Sequence, residues 1–276
     1  MKKYYLLLLS CILTGFVMPL HASTPAAEVL GLRLSAKVSY EPVDHLQVFA
    51  SEEFRFGGSD LLDCSYTEVG ASYDALSFLK VGLSYTTILT MKGEAGLPLH
   101  AMQYKSDWRH RGTLDLTFSG KAGQWKFSLR ERVQATYKME QSNPYQQAPV
   151  TWVLRNRLKV AYKSQRFPLE PYVYIEPRLL LNGASWGKIA TSTDYGHATF
   201  GGYKDVYFNR YRVAIGSDWQ VSDKHSLDIY LLYDYLNDKS INAYKAGDVQ
   251  EGMLKSPIHL QKKHYVALCV AYEFGL

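Results

Sequence analysis

Between Gln124 and Lys138 the chain alternates strictly. Trp125, Phe127, Leu129, Val133, Ala135 and Tyr137 share one face, and Lys126, Ser128, Arg130, Arg132, Gln134, Thr136 and Lys138 share the other. A repeat of two residues belongs to a strand, whose successive side chains point to opposite faces. Only Glu131 breaks the apolar face. Trp152–Tyr162 repeats the pattern, with Trp152, Leu154, Leu158, Val160 and Tyr162 against Arg155, Arg157 and Lys159. So do Tyr207–Trp219 and Leu227–Tyr235, and similar alternation marks Leu32–Tyr40, Leu46–Phe56, Tyr66–Tyr73, Leu79–Ile88, Trp108–Phe118, Pro171–Leu181 and Tyr265–Leu276.

These eleven segments predict an all-β fold. Their length matches the ~9–11 residues that a tilted strand needs to cross a bilayer. A soluble sandwich also alternates, but its strands are usually shorter. Aromatics sit at the segment ends (Trp108, Trp125, Tyr137, Trp152, Tyr162, Trp219), where interfacial girdles of a membrane barrel fall. The chain is rich in them, with 22 Tyr, 11 Phe and 5 Trp. Connections alternate between short (Asp74–Ser77, Gly120–Gly123, Lys163–Pro168, Val221–Lys224) and long (Thr90–Asp107, Glu140–Thr151, Asn182–Val206, Asn237–Lys262), as in barrels with tight turns at one end. The expected fold is therefore a membrane-spanning antiparallel up-and-down β-barrel. Bacterial single-chain barrels have even strand numbers. Eleven segments thus predict about ten strands if the first does not span, or twelve if one is missed.

The first 22 residues read as a secretory leader. Lys2 and Lys3 precede the apolar run Tyr4–Val17, and Pro19-Leu20-His21-Ala22 resembles a cleavage site. A short anchor and a lipoprotein box at Leu8-Leu9-Ser10-Cys11 are the lesser alternatives. Residues 23–276 then form a single barrel domain. Loss of Lys2 and Lys3 lowers the formal charge from +5 by two, too little to argue for nucleic acid. Cys64 and Cys269 remain, too few and too distant in sequence for a disulfide framework.

The polar face assigns many charges to the lumen. The leading basic candidates are Arg109, Arg111, Arg130, Arg132, Arg155, Arg157, Arg210 and Arg212. Their acidic partners are expected among Glu53, Glu68, Asp115, Glu176, Asp218 and Asp228. Arg33, Lys37, Arg55, Lys80, Lys126, Lys138, Lys159, Arg178, Asp234 and Glu273 share the same face. Buried charges on this scale require pairing, and arginine suits bidentate pairing with carboxylates. The expectation is an integral outer-membrane barrel with a packed, structural lumen. The first alternative is a narrow anion-preferring pore, since rings of Arg select anions. The second is an enzyme with a rim active site.

An enzyme would need an acid–base or nucleophile constellation. His100, His197 and His259 lie in long loops near Asp194 and Ser256, but no Asp-x-Asp, Asp-x-His or Gly-x-Ser-x-Gly arrangement occurs. Walker, Rossmann, EF-hand and zinc motifs are absent. No catalytic, cofactor or metal residue is therefore assigned, and no cofactor is expected. The expected partners are outer-membrane lipids and the barrel-assembly machinery, reached through the C-terminal strand, where Tyr272, Phe274 and Leu276 alternate. The long Tyr/Gly/Asn-rich loops offer surface for an extracellular partner.

Several segments carry a resemblance. They are Ser51-Glu52-Glu53-Phe54-Arg55-Phe56, Lys80-Val81-Gly82-Leu83-Ser84-Tyr85, Leu154-Arg155-Asn156-Arg157-Leu158, Asn209-Arg210-Tyr211-Arg212 and His225-Ser226-Leu227-Asp228-Ile229-Tyr230. In this order they resemble the domain-of-unknown-function family numbered 2490, an outer-membrane family of Bacteroidetes-type bacteria. The resemblance implies an outer-membrane barrel and supplies no catalytic residues.

Overall fold

A computed structural model describes residues 29–57, 60–92, 105–139, 147–163, 168–186, 197–241, 253–255 and 258–276. The expected leader over residues 1–22 lies outside the described residues, as do His100, Asp194, Ser256 and the side chains of His197 and His259.

Each of the eleven alternating segments forms a strand. They are β1 (Val29–Val43), β2 (Leu46–Gly57), β3 (Asp60–Leu76), β4 (Leu79–Lys92), β5 (Lys105–Ala122), β6 (Trp125–Lys138), β7 (Val150–Tyr162), β8 (Leu169–Trp186), β9 (His197–Ser222), β10 (His225–Ile241) and β12 (Ile258–Gly275). A three-residue strand, β11 (Met253–Lys255), lies outside the ring and pairs with the start of β9. No helix occurs among the described residues.

Consecutive strands pair antiparallel from β1 to β10, and β10 pairs antiparallel with β12. The ring closes where β12 meets β1, from Val29 opposite Tyr265 to Ser39 opposite Gly275, and that pair is parallel. In a ring whose strands reverse direction at every step, an odd number leaves the first and last running the same way. Eleven strands and one parallel seam are thus the same fact. The number falls between the ten and twelve that the even-number rule predicts.

The tight turns, Asp44-His45, Ser77-Phe78, Gly123-Gln124 and Asp223-Lys224, lie at one end. His45 and Gly123 take positive φ there, the backbone that tight hairpins require. The opposite end differs from the sequence expectation. β8 runs to Trp186, β9 starts at His197, and β10 and β12 pair as far as Ile241 opposite Ile258. These extensions cover residues read as long loops. Asn237-Asp238-Lys239-Ser240 is a run of polar residues, so the backbone ladder continues where the hydrophobic signal has stopped.

Exposed apolar side chains clothe the outside: Leu34, Val38, Leu83, Leu114, Leu129, Leu158, Val173, Ile175, Val213, Ile215 and Leu231 among them. The inside is two unlike walls. On the β7–β12 side, Tyr172 and Tyr174 stack with ring centroids 6.2 Å apart, and Tyr230 tilts against both. Ala161, Ala214, Leu232, Ala267 and Cys269 complete this cluster. Across from it, β1 to β6 present Ser, Thr, Gln and charged groups. Cys64 and Cys269 are both free and buried.

The tyrosines fit because small residues face them. A Cβ on Gly216 would stand 2.3 Å from Tyr230 Cβ and 2.6 Å from the Ile229 carbonyl oxygen, whereas a Cβ on the exposed Gly112 would meet nothing within 4 Å. Gly216→Ala is therefore expected to lower stability by ~1–3 kcal/mol through overpacking. Gly112→Ala should cause no comparable loss. Urea unfolding midpoints of the two variants in detergent check this.

Candidate functional site

Every inward position on one strand has inward neighbours on the two beside it, so charges at matching heights meet. Arg130 pairs in register with Arg157, and Arg132 with Arg155. Like charges opposite one another repel, so a counter-charge has to come from a third strand. It comes from Glu176 on β8, 1% exposed. Its Oε2 lies 2.6 Å from Arg157 and 3.2 Å from Arg130, and its Oε1 meets Arg155 and, at 3.4 Å, Arg212 from β9. Asp234 on β10, also buried, is the second centre. It lies 3.1 Å from Arg212, 3.5 Å from Arg210 and 3.9 Å from Arg33. Six guanidinium groups thus converge on two carboxylates, and Arg212 links the two centres.

The remaining predicted residues divide among simpler pairs. Arg132 grips Asp115 with two hydrogen bonds of 2.5 and 2.6 Å. Glu53 accepts one from Arg55 at 2.5 Å. Asp218 takes Lys159 at 2.8 Å. Asp228 makes no ion pair among the described residues: it accepts from the Tyr172 hydroxyl, 2.8 and 3.0 Å from its two oxygens. Arg111 donates to Thr136 at 3.0 Å and lies 5.8 Å from the centroid of the Tyr66 ring, and it makes no ion pair among the described residues. Arg109 pairs with Asp107 toward the long-loop end. Glu68 lines the central cavity.

Three inward carboxylates escape the sequence reading: Asp74, which pairs with Lys80, Asp107, which pairs with Arg109, and Glu170, which pairs with Lys126 and Lys163. Each lies one residue beyond a segment boundary read from the apolar pattern (Tyr73, Trp108, Pro171), although it keeps the inward parity of its strand.

Several bonds skip a strand. Lys126 on β6 and Arg130 on β6 reach β8, Lys159 on β7 reaches β9, Tyr172 on β8 reaches β10, and Arg33 on β1 reaches β10 across β12. Such chords brace a ring against flattening. They leave a central cavity of about 370 Å³ to which all eleven ring strands contribute, from Arg33 on β1 to Glu273 on β12. A second cavity of about 400 Å³ lies at the short-turn mouth and shares Ser226 and Glu273 with the first. Among the described residues no three His, Cys, Asp or Glu side chains gather as a metal site.

The hub sets an unequal scale of costs. Glu176→Gln leaves four arginines around a neutral amide and is expected to cost ~3–5 kcal/mol, the scale of a broken buried pair. Lys163→Gln removes a largely exposed cation from Glu170 and should cost under ~1 kcal/mol. Unfolding midpoints of both variants check the contrast.

No curated protein matches the chain. The family model described as "Protein of unknown function (DUF2490)" matches residues 31–245, which takes in ten of the eleven ring strands and both buried carboxylates. With that match over most of its length, the chain belongs to the family of proteins of unknown function numbered 2490.

Proposed function

We propose that this protein is an integral outer-membrane barrel whose braced lumen makes it a structural element of that membrane. The carrying observation is the inversion of a soluble fold: the charges are inside and the large apolar side chains outside. Ile215 is 65% exposed while Glu176 is 1% exposed. In water that belt would be a large aggregation-prone surface; in lipid it is the required one.

The spacing of the exterior aromatics supports the same reading. Trp108 and Phe118 on β5, Trp125 and Tyr137 on β6, and Trp152 and Tyr162 on β7 lie ten to twelve residues apart on outward positions. At ~3.4 Å per residue and a tilt of ~40°, that separation is about 25–30 Å along the barrel axis, the height of the apolar band of such barrels. Outward histidines are matched to tyrosine hydroxyls on the next strand: His110 Nδ1 with Tyr85 at 2.6 Å, His264 Nδ1 with Tyr233 at 2.8 Å, and His225 Nδ1 with Tyr272 at 2.5 Å. In an apolar medium an unmatched imidazole would be costly. The leader read over residues 1–22 supplies the export route, and β12 the strand that barrel-assembly machinery would engage.

A narrow anion-preferring passage is the second reading, favoured by the contact between the central cavity and the mouth cavity at Ser226 and Glu273. Cell fractionation and gel mobility test the main reading. The protein is expected in the outer-membrane fraction, cleaved after Ala22, with a mobility that changes on heating. Recovery as a soluble periplasmic protein would overturn it. Planar-bilayer recording separates the two readings: the braced lumen gives no steps, and the passage gives small anion-selective ones.

A further inference from the structure

Nine cations line the central cavity against five carboxylates, and Glu176, Asp234 and Asp115, bonded to lining arginines, bring the acids to eight, which leaves one positive charge over. Six arginines share Glu176 and Asp234, and five of them, Arg33, Arg130, Arg155, Arg157 and Arg212, line the central cavity. Arg33 Nε and Arg130 Nε are buried without a hydrogen-bond acceptor in the described structure. Arg111, on the same cavity, makes no ion pair among the described residues, although Glu68 shares the cavity with it. Uncompensated charge in a low-dielectric interior is costly, so a mobile counter-ion lowers the energy of this layer. Guanidinium forks match the paired oxygens of phosphate or carboxylate, and a spherical halide cannot use both arms of a fork.

We infer that the central cavity binds a small polyvalent oxyanion, phosphate or a phosphomonoester, against Arg111, Arg130 and Arg155. At about 370 Å³ the cavity has room for phosphate and a small substituent. The mouth cavity gives the route, past a Glu273 held by Lys37 at 2.9 Å and Ser39 at 3.1 Å. This inference does not depend on a bilayer around the belt.

The test uses the detergent-solubilised barrel. Phosphate released on denaturation is assayed first, then inorganic phosphate is titrated calorimetrically against a chloride background. One phosphate per chain, released or titrated, is expected. Arg111→Gln breaks no ion pair of the described structure, so its fold should survive, and it should weaken phosphate binding about tenfold, the loss of one charge-assisted hydrogen bond. Lys163→Gln, away from the cavity, should leave binding unchanged. No released phosphate together with no titratable binding would overturn the inference, as would equal weakening by Lys163→Gln.

A second inference comes from the outside. Glu131 on β6 and Asn156 on β7 are outward and directly opposed in the ladder, six and four residues from the aromatics Trp125 and Trp152 of their own strands. Leu129, Val133, Leu154 and Leu158 surround them, and neither side chain has a polar partner in the described structure. A carboxylate in the middle of an apolar belt is destabilising. The pair is self-complementary. A two-fold axis parallel to the barrel axis and passing between β6 and β7 sets each Glu131 opposite the Asn156 of the other copy at the same height. The Asn156 amide then donates to the Glu131 carboxylate twice across the contact, the arrangement expected of an isologous interface.

We propose that the β6–β7 face joins two copies of this chain; the proposal rests on the belt facing lipid. Liposome flotation tests that reading by itself, and bleaching-step counting on the floated, singly labelled protein tests the dimer. Two steps are expected for the unsubstituted protein, with single steps dominating in Glu131→Leu and in Asn156→Leu. The exchange Glu131→Asn with Asn156→Glu should restore two steps, because the swapped pair is again self-complementary. Single steps in the floated unsubstituted protein, or two steps that survive both leucine substitutions, would overturn the dimer. Failure to float would instead overturn the lipid-facing belt.

Discussion

Glu176 is the constraint around which the interior is arranged. Four guanidinium groups from β6, β7 and β9 meet on its two oxygens, at a site from which water is almost wholly excluded. Without it, Arg130 would face Arg157 and Arg132 would face Arg155 across one ladder with no charge between them but Asp115. A buried ion cluster is weak evidence for stability as such, because desolvation offsets much of the attraction. Its effect here is on register. A slip of one residue in β8 would turn Glu176 outward and leave the arginines unpaired, so the cluster admits one alignment of β6 to β9.

The same logic explains the two walls. Where the lumen is charged, chords from strand to second-next strand hold it. Where it is aromatic, Tyr172, Tyr174 and Tyr230 fill it against alanines and Gly216. Bulk and charge alternate around the ring, and the central cavity is the space that neither fills.

Most of the architecture was legible because strand parity is a strong signal. In β6, every second residue from Trp125 to Tyr137 except Glu131 is apolar, and that pattern alone fixes which side chains share a face. What escaped detection has two physical causes. Polar extensions such as Asn237–Ser240 keep their ladder without any hydrophobic pattern, and Asp74, Asp107 and Glu170 lie just past the last apolar residue. The hub escaped for another reason. Glu176 carries the same parity as its neighbours Tyr172 and Tyr174, and nothing local marks it. Only the shift between β7, β8 and β9 brings four distant arginines to one carboxylate, and register between strands is a tertiary property.

The parallel seam has a consequence for the direction of the chain. A polypeptide that passes through a ring an even number of times returns to the side on which it started. This one passes eleven times, so Val29 leaves the barrel with the long loops and Gly275 with the tight turns. In a bilayer, the two ends of the strand sequence would therefore lie in different compartments. Peptide added ahead of β1 and peptide added after β12 would meet different enzymes, different ions and different neighbours, and the strand that closes the wall would also be the one whose leading end has to be carried to the far side.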